Sequence, residues 1–262
     1  MQRPNPVQRA SSDQPWQTRV AWGLGSLVGF LFFWEVLALL IQHRHFPTPT
    51  TVFAAMWREA ETGALIYHIS KTLFRVAVAF VVAMLIGSAI GIVMGRNGRV
   101  DQAFDSWLVL FLNLPALVVI ILCYVWFGRT ELAAIIAVAV NKIPNVAVTV
   151  REGARALSRD LAEMAHMYRF GAWKTLRHVT LPQLAPFFLA SARTGLSLVW
   201  KIVLVVELLG RSDGVGFQLG TYFQMFDVSM ILAYALAFII VVQLIEFGIL
   251  QPIAARVNRW RR

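Results

Sequence analysis

Charged residues are scarce in this chain. Of its 262 residues, 15% are Asp, Glu, Lys or Arg, whereas an ordinary soluble domain carries about 25%. Hydrophobic residues make up 58%, above the about 45–50% that is usual in soluble domains. So little charge excludes a protein built mainly to face water. We therefore expect lipid to be the main solvent and a single membrane domain to account for most of the chain.

Cysteine, metal-binding motifs and nucleotide-binding motifs are also lacking. Cys123 is the only cysteine, which excludes a disulfide within the chain and a metal cage of cysteines. The five histidines do not stand at metal-ligand spacing with acids on a common helix face, so we predict no metal site. The sequence has no Gly-x-x-x-x-Gly-Lys loop to hold a nucleotide, and no general acid, base or nucleophile stands out. We predict a protein that is not an enzyme and binds no cofactor itself.

Acidic residues are few, 14 Asp and Glu against 24 Lys and Arg, which gives a formal net charge of +10. A nucleic-acid-binding surface would gather the cations on a soluble face with interleaved aromatic residues. Here they stand at the ends of hydrophobic runs instead. We predict contact with membrane lipid and none with nucleic acid.

Long hydrophobic runs are what the sequence has in abundance. A helix needs about 20 apolar residues to cross a bilayer, and six runs are of this order. They cover residues 20–42, 76–95, 106–128, 132–150, 183–209 and 228–250. Because unpaired backbone groups find no hydrogen-bond partner in lipid, we predict an all-α polytopic membrane protein with six uninterrupted transmembrane helices.

Arginine and lysine are distributed unevenly between the two sides of these spans. With a cytoplasmic N-terminus, fifteen of them lie on the cytoplasmic side: Arg3, Arg9, Arg19, Arg96, Arg99, Arg151, Arg155, Arg159, Arg169, Lys174, Arg177, Arg256, Arg259, Arg261 and Arg262. The opposite side holds Arg44, Arg58, Arg129 and Arg211. Short cytoplasmic loops retain such residues, so we predict that both termini are cytoplasmic. The predicted organisation is a tail at 1–19, one transmembrane domain at 20–252 with a cytoplasmic loop at 151–182, and a basic tail at 253–262.

The segment 50–68 is too polar to span a membrane. Its apolar residues Val52, Met56 and Leu65 fit one face of a helix, which favours a helix lying along the outer surface. A simple connector is the alternative.

Gly87, Gly91 and Gly95 recur at every fourth residue in the second span. Small residues at this spacing let two helix backbones approach closely. We predict that they form a packing face.

The segment 160–182 is too polar for lipid and too short for a domain of its own. Asp160 is a candidate N-cap with Glu163 in the first turn. Leu161, Met164 and Tyr168 share one face at helical spacing. We predict a short amphipathic helix, for which resting on lipid headgroups is one interpretation.

This segment resembles the Glu-Ala-Ala loop of binding-protein-dependent ABC permeases, in which Glu, Ala, Gly and then Ile-x-Leu-Pro recur at fixed spacing. Glu163 and Ala165 match the first and third positions of the motif, and Met164 replaces the second. Leu181 and Pro182 match its closing part.

One position departs from the motif: Arg169 stands at the expected glycine. Gly171 follows two residues later, so we expect the turn after the helix to be displaced. The resemblance implies a set of residues that couple the chain to an ATPase, with Glu163 as the anchor. The set is Glu163, Met164, Ala165, Tyr168, Arg169, Gly171, Leu181 and Pro182.

Other stretches resemble the sulfonate, taurine and nitrate branch of the same superfamily. Residues 46–52, Phe-Pro-Thr-Pro-Thr-Thr-Val, are similar to the proline-rich start of those permeases. Leu-Pro-Ala-Leu at 114–117 and Val-Trp-Phe-Gly at 125–128 resemble their third span. Asp-Gly-Val-Gly-Phe at 213–217 looks like the turn before their last span. The resemblance therefore covers roughly residues 46–240.

The resemblance implies a type I ABC importer permease fold with a cytoplasmic coupling helix, in a bacterial inner membrane. It also implies partners: a second copy of the chain as a homodimer, two ATP-binding subunits that hold ATP and Mg, and a periplasmic or lipid-anchored binding protein. The implied solute is a sulfonate, taurine or nitrate-like anion. A neutral vitamin precursor is an alternative solute, and an ATP-independent channel, a secondary transporter or a membrane scaffold are alternative functions.

Ionisable groups inside spans are costly, so they mark a candidate solute path. In the fifth span, Arg193, Ser197 and Lys201 fall on one polar stripe, with Trp200 and Glu207 beside it. One interpretation is a basic lining for an anion.

The other interpretation is structural. Arg193 would then pair with an acid, with Glu35 and Glu246 as candidates, and Glu207 would reach the outer interface.

Polar residues and prolines in the third and fourth spans extend the candidate path to Asn113, Pro115, Asn141 and Lys142. Proline frees a backbone carbonyl, and freed backbone groups often line transporter sites. Local repair of the helix is the alternative.

Overall fold

The computed structural model describes residues 16–43 and 45–252, and this part of the chain is helical, without strands. Its helices are α1 (Trp16–Ile41), α2 (Pro49–Glu61), α3 (Ala64–Arg96), α4 (Gly98–Asn113), α5 (Ala116–Phe127), α6 (Glu131–Arg155), α7 (Arg159–Met167), α8 (Ala172–Gly210), α9 (Val215–Gln224) and α10 (Val228–Ile245). A π-helical turn interrupts α8 at Leu176–Thr180, and another continues α10 over Glu246–Leu250. The predicted all-α class is confirmed. Residues 1–15 of the predicted N-terminal tail and all of the predicted C-terminal tail at 253–262 lie outside the described residues.

Within the described residues, four helices are long and apolar enough to cross a membrane: α3, α6, α8, and α10 with its continuation to Gly248. The helices α4 and α5 qualify only as a pair, and they are bent by 95° at the break between them. The helix α1 contributes a shorter apolar stretch, Gly25–Ile41. All six predicted spans coincide with helices, but the prediction of uninterrupted spans is wrong for the third.

The third span breaks at Leu114 and Pro115. Both residues adopt extended backbone conformations, with ψ angles of 127° and 128°. Pro115 has no N–H for a helical hydrogen bond, and its ring disfavours a helical conformation at the preceding residue. Asn113 satisfies one carbonyl at the end of α4, since its side-chain amide donates to Val109 O at 2.8 Å. The Leu-Pro pair therefore explains the bend.

The helices α3 and α6 run parallel and pack closely along the predicted glycine face. A Cβ atom at Gly87 would lie 2.6 Å from Val146 Cβ, and one at Gly91 would lie 2.6 Å from Ala147 O. Gly95 approaches α6 equally closely. Real Cβ atoms do not tolerate such distances, so these glycines permit the contact and the packing face is confirmed.

The segment 50–68 is helical, as one of the two interpretations predicts, but it is divided between α2 and the first turn of α3. Its residues Val52 and Ala55 are buried against Ala233 of α10, so α2 is packed onto the bundle. Leu65 was predicted to share this helix, but it lies in the first turn of α3. Gly63, in the left-handed region at φ 80°, separates the two helices. As a result α3 starts well before the predicted second span.

The bundle has two ends. We call the end where α6 begins the Glu131 end and the end where α6 finishes the Arg155 end. The helices α3 and α6 run from the Glu131 end to the Arg155 end, α8 runs back, and α10 returns.

Candidate functional site

The helix α7 lies in the loop that joins α6 to α8 at the Arg155 end. Ser158 caps it, because its Oγ accepts a hydrogen bond from Leu161 N. Asp160, the predicted cap, lies in the first turn instead, where a negative charge interacts favourably with the helix dipole. The Ser158 N–H donates to Gln183 Oε1 of α8 at 3.0 Å, and Ala165 is buried. These contacts hold α7 against the bundle.

The helix α7 ends in a Schellman motif centred on Arg169, whose φ of 52° lies in the left-handed region. Phe170 N–H donates to Ala165 O, and Arg169 N–H donates to His166 O, both at 2.9 Å. Glycine is the usual residue at this position of the motif. The turn thus stands at the expected glycine position, and the prediction that it is displaced to Gly171 is wrong.

The face of α7 that points away from the bundle combines charge with large apolar side chains. Met164 is 41% exposed, Met167 82% and Tyr168 73%. Glu163 is exposed on the same short helix. Exposed apolar groups gathered on a polar loop indicate a contact surface. We call these four residues the α7 face.

The remaining residues of the predicted coupling set lie beside α7 and not on it. Gly171 is the N-cap of α8, with an ordinary φ of −64°. Leu181 and Pro182 follow the π-helical turn in α8 and are exposed.

Ion pairs tie the end of α6 to α4. Arg151 Nη1 lies 2.5 Å from Asp105 Oδ1 and 3.3 Å from Asp101 Oδ1. Arg155 also pairs with Asp101. The end of α6 that leads into α7 is therefore fixed to its neighbour α4.

A second group of charges lies at the Glu131 end. Arg75 is buried, its Nη1 donates to Glu207 Oε1 at 2.7 Å, and its Nε donates to Glu131 Oε1 at 2.7 Å. It also pairs with Asp213. Arg211 Nη2 lies 2.8 Å from Glu131 Oε2. This Arg75 cluster, formed by these five residues, joins α3, α6, α8 and the turn before α9.

Side chains next to this cluster also fix the start of α9. The N–H groups of residues 214–216 have no helical partner, as at any helix N-terminus. In order, they donate to His68 Nδ1 at 3.0 Å, Thr72 Oγ1 at 2.8 Å and Glu207 Oε2 at 2.9 Å. Gly214 has a φ of 106°, and a Cβ there would overlap the Glu207 carboxylate. The Asp-Gly-Val-Gly turn is therefore built to receive this carboxylate.

Asp213 lies in the turn between α8 and α9, outside the spanning helices. Burial alone would raise the pKa of its carboxyl. The hydrogen bond from Arg75 and the positive charges of Arg75, Arg211 and Lys71 outweigh burial, so the pKa of Asp213 lies below its usual value. Asp213 is therefore ionised at neutral pH and neutralises part of the positive charge around it.

Sequence reasoning misses Arg75 and misplaces Glu207. Arg75 stands just before the predicted second span, so it does not register as a charge in lipid. Glu207 is fully buried in the Arg75 cluster, so its assignment to the polar stripe of the fifth span is wrong. An arginine just before the second predicted span, with acidic residues at the boundaries of the fourth and fifth, is the sequence pattern that points to the cluster.

A cleft of about 400 Å³ lies between α8 and the end of α10. Its lining consists of Arg193, Thr194, Ser197, Trp200, Val242, Gln243 and Glu246. We call it the Arg193 cleft. The structure thus brings together three predicted path residues, and Glu246, one of the two acids predicted as candidate partners of Arg193, lines the cleft from the opposite helix.

Other path residues do not line this cleft. Lys201 is exposed on α8 outside its lining. Lys142 is buried, and its side chain covers Gly195 of α8. Asn141 donates to Ala137 O of its own helix at 2.8 Å, and Pro115 marks the bend between α4 and α5. Of these residues, Lys142 packs α6 against α8.

Glu35 is not a partner of Arg193. Its carboxylate accepts hydrogen bonds from Thr50 N at 3.2 Å and Thr50 Oγ1 at 3.0 Å. It therefore joins α1 to the start of α2. Among the described residues, no group of three or more His, Cys, Asp or Glu side chains is placed to hold a metal ion.

Residues 83–251 match the family described as binding-protein-dependent transport system inner membrane component. The chain is 26% identical, over 95% of its length and 91% of the relative, to a Bacillus subtilis (strain 168) protein named as the aliphatic sulfonates transport permease SsuC. It is 25% identical to the taurine transport system permease protein TauC of Escherichia coli (strain K12), over 94% of this chain and 92% of that protein.

A solved structure of the MetNI methionine ABC transporter in an inward-facing conformation contains a similar chain. The TM-score is 0.66 at 19% identity, and the match covers 77% of this chain and 99% of that one. The two chains share a fold.

Proposed function

The chain belongs to the family of binding-protein-dependent inner membrane transport components, and from this premise we propose that it forms the solute pathway of an importer driven by separate ATPase subunits. Its fold is the type I importer permease fold that the sequence predicts. It is a membrane-embedded transport subunit, and energy has to reach it through contacts with partners.

In the proposed assembly, two copies of the chain lie side by side in the bacterial inner membrane, with the Arg155 end and both termini in the cytoplasm. Two ATP-binding subunits, which hold ATP and Mg, dock at the Arg155 end. A periplasmic or lipid-anchored binding protein delivers solute at the Glu131 end. The excess of arginine near the Arg155 end supports this orientation.

The observation that carries the proposal is the α7 face. It presents a carboxylate and three large apolar side chains away from the bundle, which is the chemistry of a protein contact. Glu163 supplies a charged partner for a cation on the ATPase. The apolar side chains supply the area to be buried around it.

The contacts behind α7 explain how a push on this face would travel. Ser158 bonds to α8 through Gln183, and Arg151 and Arg155 bond α6 to Asp101 of α4. When the two ATPases close on ATP, the α7 helices move together. The attached helices then follow as rigid bodies and change access from one side of the membrane to the other.

The proposed solute is a small sulfonate, taurine or nitrate-like anion. Relatives named for sulfonate and taurine transport support this class, and the guanidinium of Arg193 in the Arg193 cleft offers a partner for an anion.

The ATPase contact is tested by Glu163→Arg. This change replaces a carboxylate by a cation on the α7 face, so the permease should lose its ATPase in copurification. Glu61→Arg, the same change on the exposed end of α2, should leave the complex intact. Equal recovery of the ATPase with both variants would refute the assigned contact.

A further inference from the structure

An apolar groove of about 560 Å³ lies among α3, α4 and α6. Large side chains of α4, among them Phe104, Trp107 and Phe111, form one wall, and the small residues Ala89 of α3 and Pro144 of α6 lie in the others. Every residue that lines the groove is apolar. We call this space the Phe104 groove. Its volume lies within the range of about 300–1,000 Å³ that is usual for ligand sites.

The packing of the three helices explains why the groove is open. The helices α3 and α6 touch along the glycine face, and α4 meets them at a cluster of Met94, Leu108 and Ala147. Beside this cluster, the small residues of α3 and α6 leave the space unfilled, and Phe104 and Trp107 are more than half exposed. An apolar space of this kind stays dry and takes apolar ligands.

Two arginines stand where the groove ends, in the turn that joins α3 to α4 at the Arg155 end. Arg96 follows the lining residues Ala89 and Val93 by seven and three positions, so it continues their face of α3. Arg99 directly precedes the lining residue Val100 at the start of α4. Both arginines are exposed, and within the described part of the chain neither forms an ion pair within 4.0 Å.

The acidic side chains around these arginines are engaged elsewhere. Asp101 and Asp105 of α4 pair with arginines of α6, and so does Glu152. The other exposed acids described at this end, Asp160 and Glu163, lie on α7. A second copy of the chain thus has no uncommitted acid outside α7 to bring to the turn. The two positive charges call for an anion from another source.

We propose that the Phe104 groove holds an acyl chain of an anionic phospholipid, whose phosphate binds Arg96 and Arg99. The apolar lining suits the chain, and guanidinium groups bind phosphate oxygens in a bidentate manner. Basic pockets between spanning helices on the cytoplasmic side bind anionic headgroups. A zwitterionic lipid offers the same chain, but it brings an ammonium group to two cations. The site lies apart from both the Arg193 cleft and the α7 face.

The test is native mass spectrometry of the purified full-length chain in detergent. Phosphatidylglycerol and phosphatidylcholine with identical acyl chains are added at equal concentration. We expect each chain to retain phosphatidylglycerol under conditions that remove phosphatidylcholine. Glycerol phosphate, which has the anionic group without the chain, should not displace the bound lipid.

Two kinds of variant separate the chain from the headgroup. Ala89→Trp fills the groove and should weaken the apparent affinity for phosphatidylglycerol about tenfold. Ala77→Trp, at an exposed alanine of the same helix outside the lining, is the matched control and should retain the lipid. Arg96→Gln combined with Arg99→Gln should abolish the preference for phosphatidylglycerol, whereas Arg58→Gln, an exposed arginine of α2, should keep it.

Equal retention of the two lipids by the unchanged chain would show unspecific lipid only and would overturn the proposal. So would equal loss of lipid in Ala89→Trp and Ala77→Trp, or displacement by glycerol phosphate. A disulfide between two copies of Phe104→Cys, made in a chain with Cys123→Ser, would place a second copy over the groove instead and would also overturn it. None of these results bears on the contact between α7 and an ATPase.

Discussion

Arg75 Nη1 lies 2.7 Å from Glu207 Oε1, and the two side chains are 1% and 0% exposed. This pair joins α3 to α8 at the Glu131 end, and Glu207 in turn accepts the Gly216 N–H at the start of α9. The pair therefore holds three helices together at the end where we place delivery of the solute.

Arg75→Gln should destabilise the protein strongly. The change leaves the carboxylates of Glu131, Glu207 and Asp213 without their shared cation, and breaking a buried ion pair costs about 3–5 kcal/mol. Thermal unfolding of the purified protein measures the loss. Arg58→Gln, an exposed arginine of α2, should change the free energy of unfolding by less than about 0.5 kcal/mol. Similar Tm values for the two variants would contradict the assigned role of Arg75.

Glu207→Gln should cost less than Arg75→Gln. Arg75 keeps its pairs with Glu131 and Asp213 in this variant, and the amide oxygen of glutamine can still accept the Gly216 N–H. The same unfolding assay ranks the two variants. A Tm for Glu207→Gln below that for Arg75→Gln would show that the cluster is organised around the carboxylate instead.

The helices of this fold could be predicted from the sequence, because hydrophobic runs of membrane length leave little choice of structure. The sequence Leu114-Pro115 is a signal for the bend in the third span. The length and lack of charge of the hydrophobic run do not indicate that its helix is broken. Arg169 stands at the glycine position of the motif, and its left-handed φ is evident only from the backbone.

The Arg75 cluster lies beyond what sequence reasoning could reach, whereas the Arg193 cleft could be reached in part. Arg75 bonds to residues as far as 138 positions away, and no local pattern indicates such a pairing. Helical spacing groups Arg193 with Ser197 on α8. Glu246 could be named from the sequence as one candidate partner of Arg193, and the structure shows that both line one cleft whereas Glu35 lies elsewhere.

Gly91→Val should destabilise the contact between α3 and α6. Even the first side-chain carbon would lie 2.6 Å from Ala147 O, so the helices must separate, and overpacking of this kind costs about 1–3 kcal/mol. Gly29→Val in α1 is the control, because nothing lies within 4 Å of a Cβ there. The prediction fails if the two variants unfold at the same temperature.

Arg169→Gly should preserve or raise stability. A residue other than glycine in the left-handed region costs about 1–2 kcal/mol, and the Schellman hydrogen bonds of α7 use only backbone atoms. Arg169→Val, with a β-branched side chain, should lower Tm instead. Loss of ATPase copurification by Arg169→Gly, with Tm unchanged, would show that the arginine side chain itself contacts the partner.

Asp213→Asn should reveal a pH-dependent contribution to stability. The pKa of Asp213 in the folded protein lies below its ordinary value of 3.8, so the unfolded state takes up the proton first and stability falls as pH falls. We expect Asp213→Asn to lower Tm at neutral pH. The difference from the unchanged chain should shrink below pH 3.8 and disappear as the pH falls through the folded-state pKa. The exposed Asp160→Asn is the control. A difference that grows at low pH would contradict the sign.

We propose that this permease passes a signal between a solute-loaded binding protein and an ATPase through α7. The most direct measurement is ATP hydrolysis by the chain and its ATPase in lipid vesicles, with the binding protein empty or loaded with taurine. We expect the loaded binding protein to stimulate hydrolysis with the unchanged chain and to fail to do so with Glu163→Arg. Equal stimulation with Glu163→Arg, or a stable complex whose hydrolysis ignores the loaded binding protein, would contradict it.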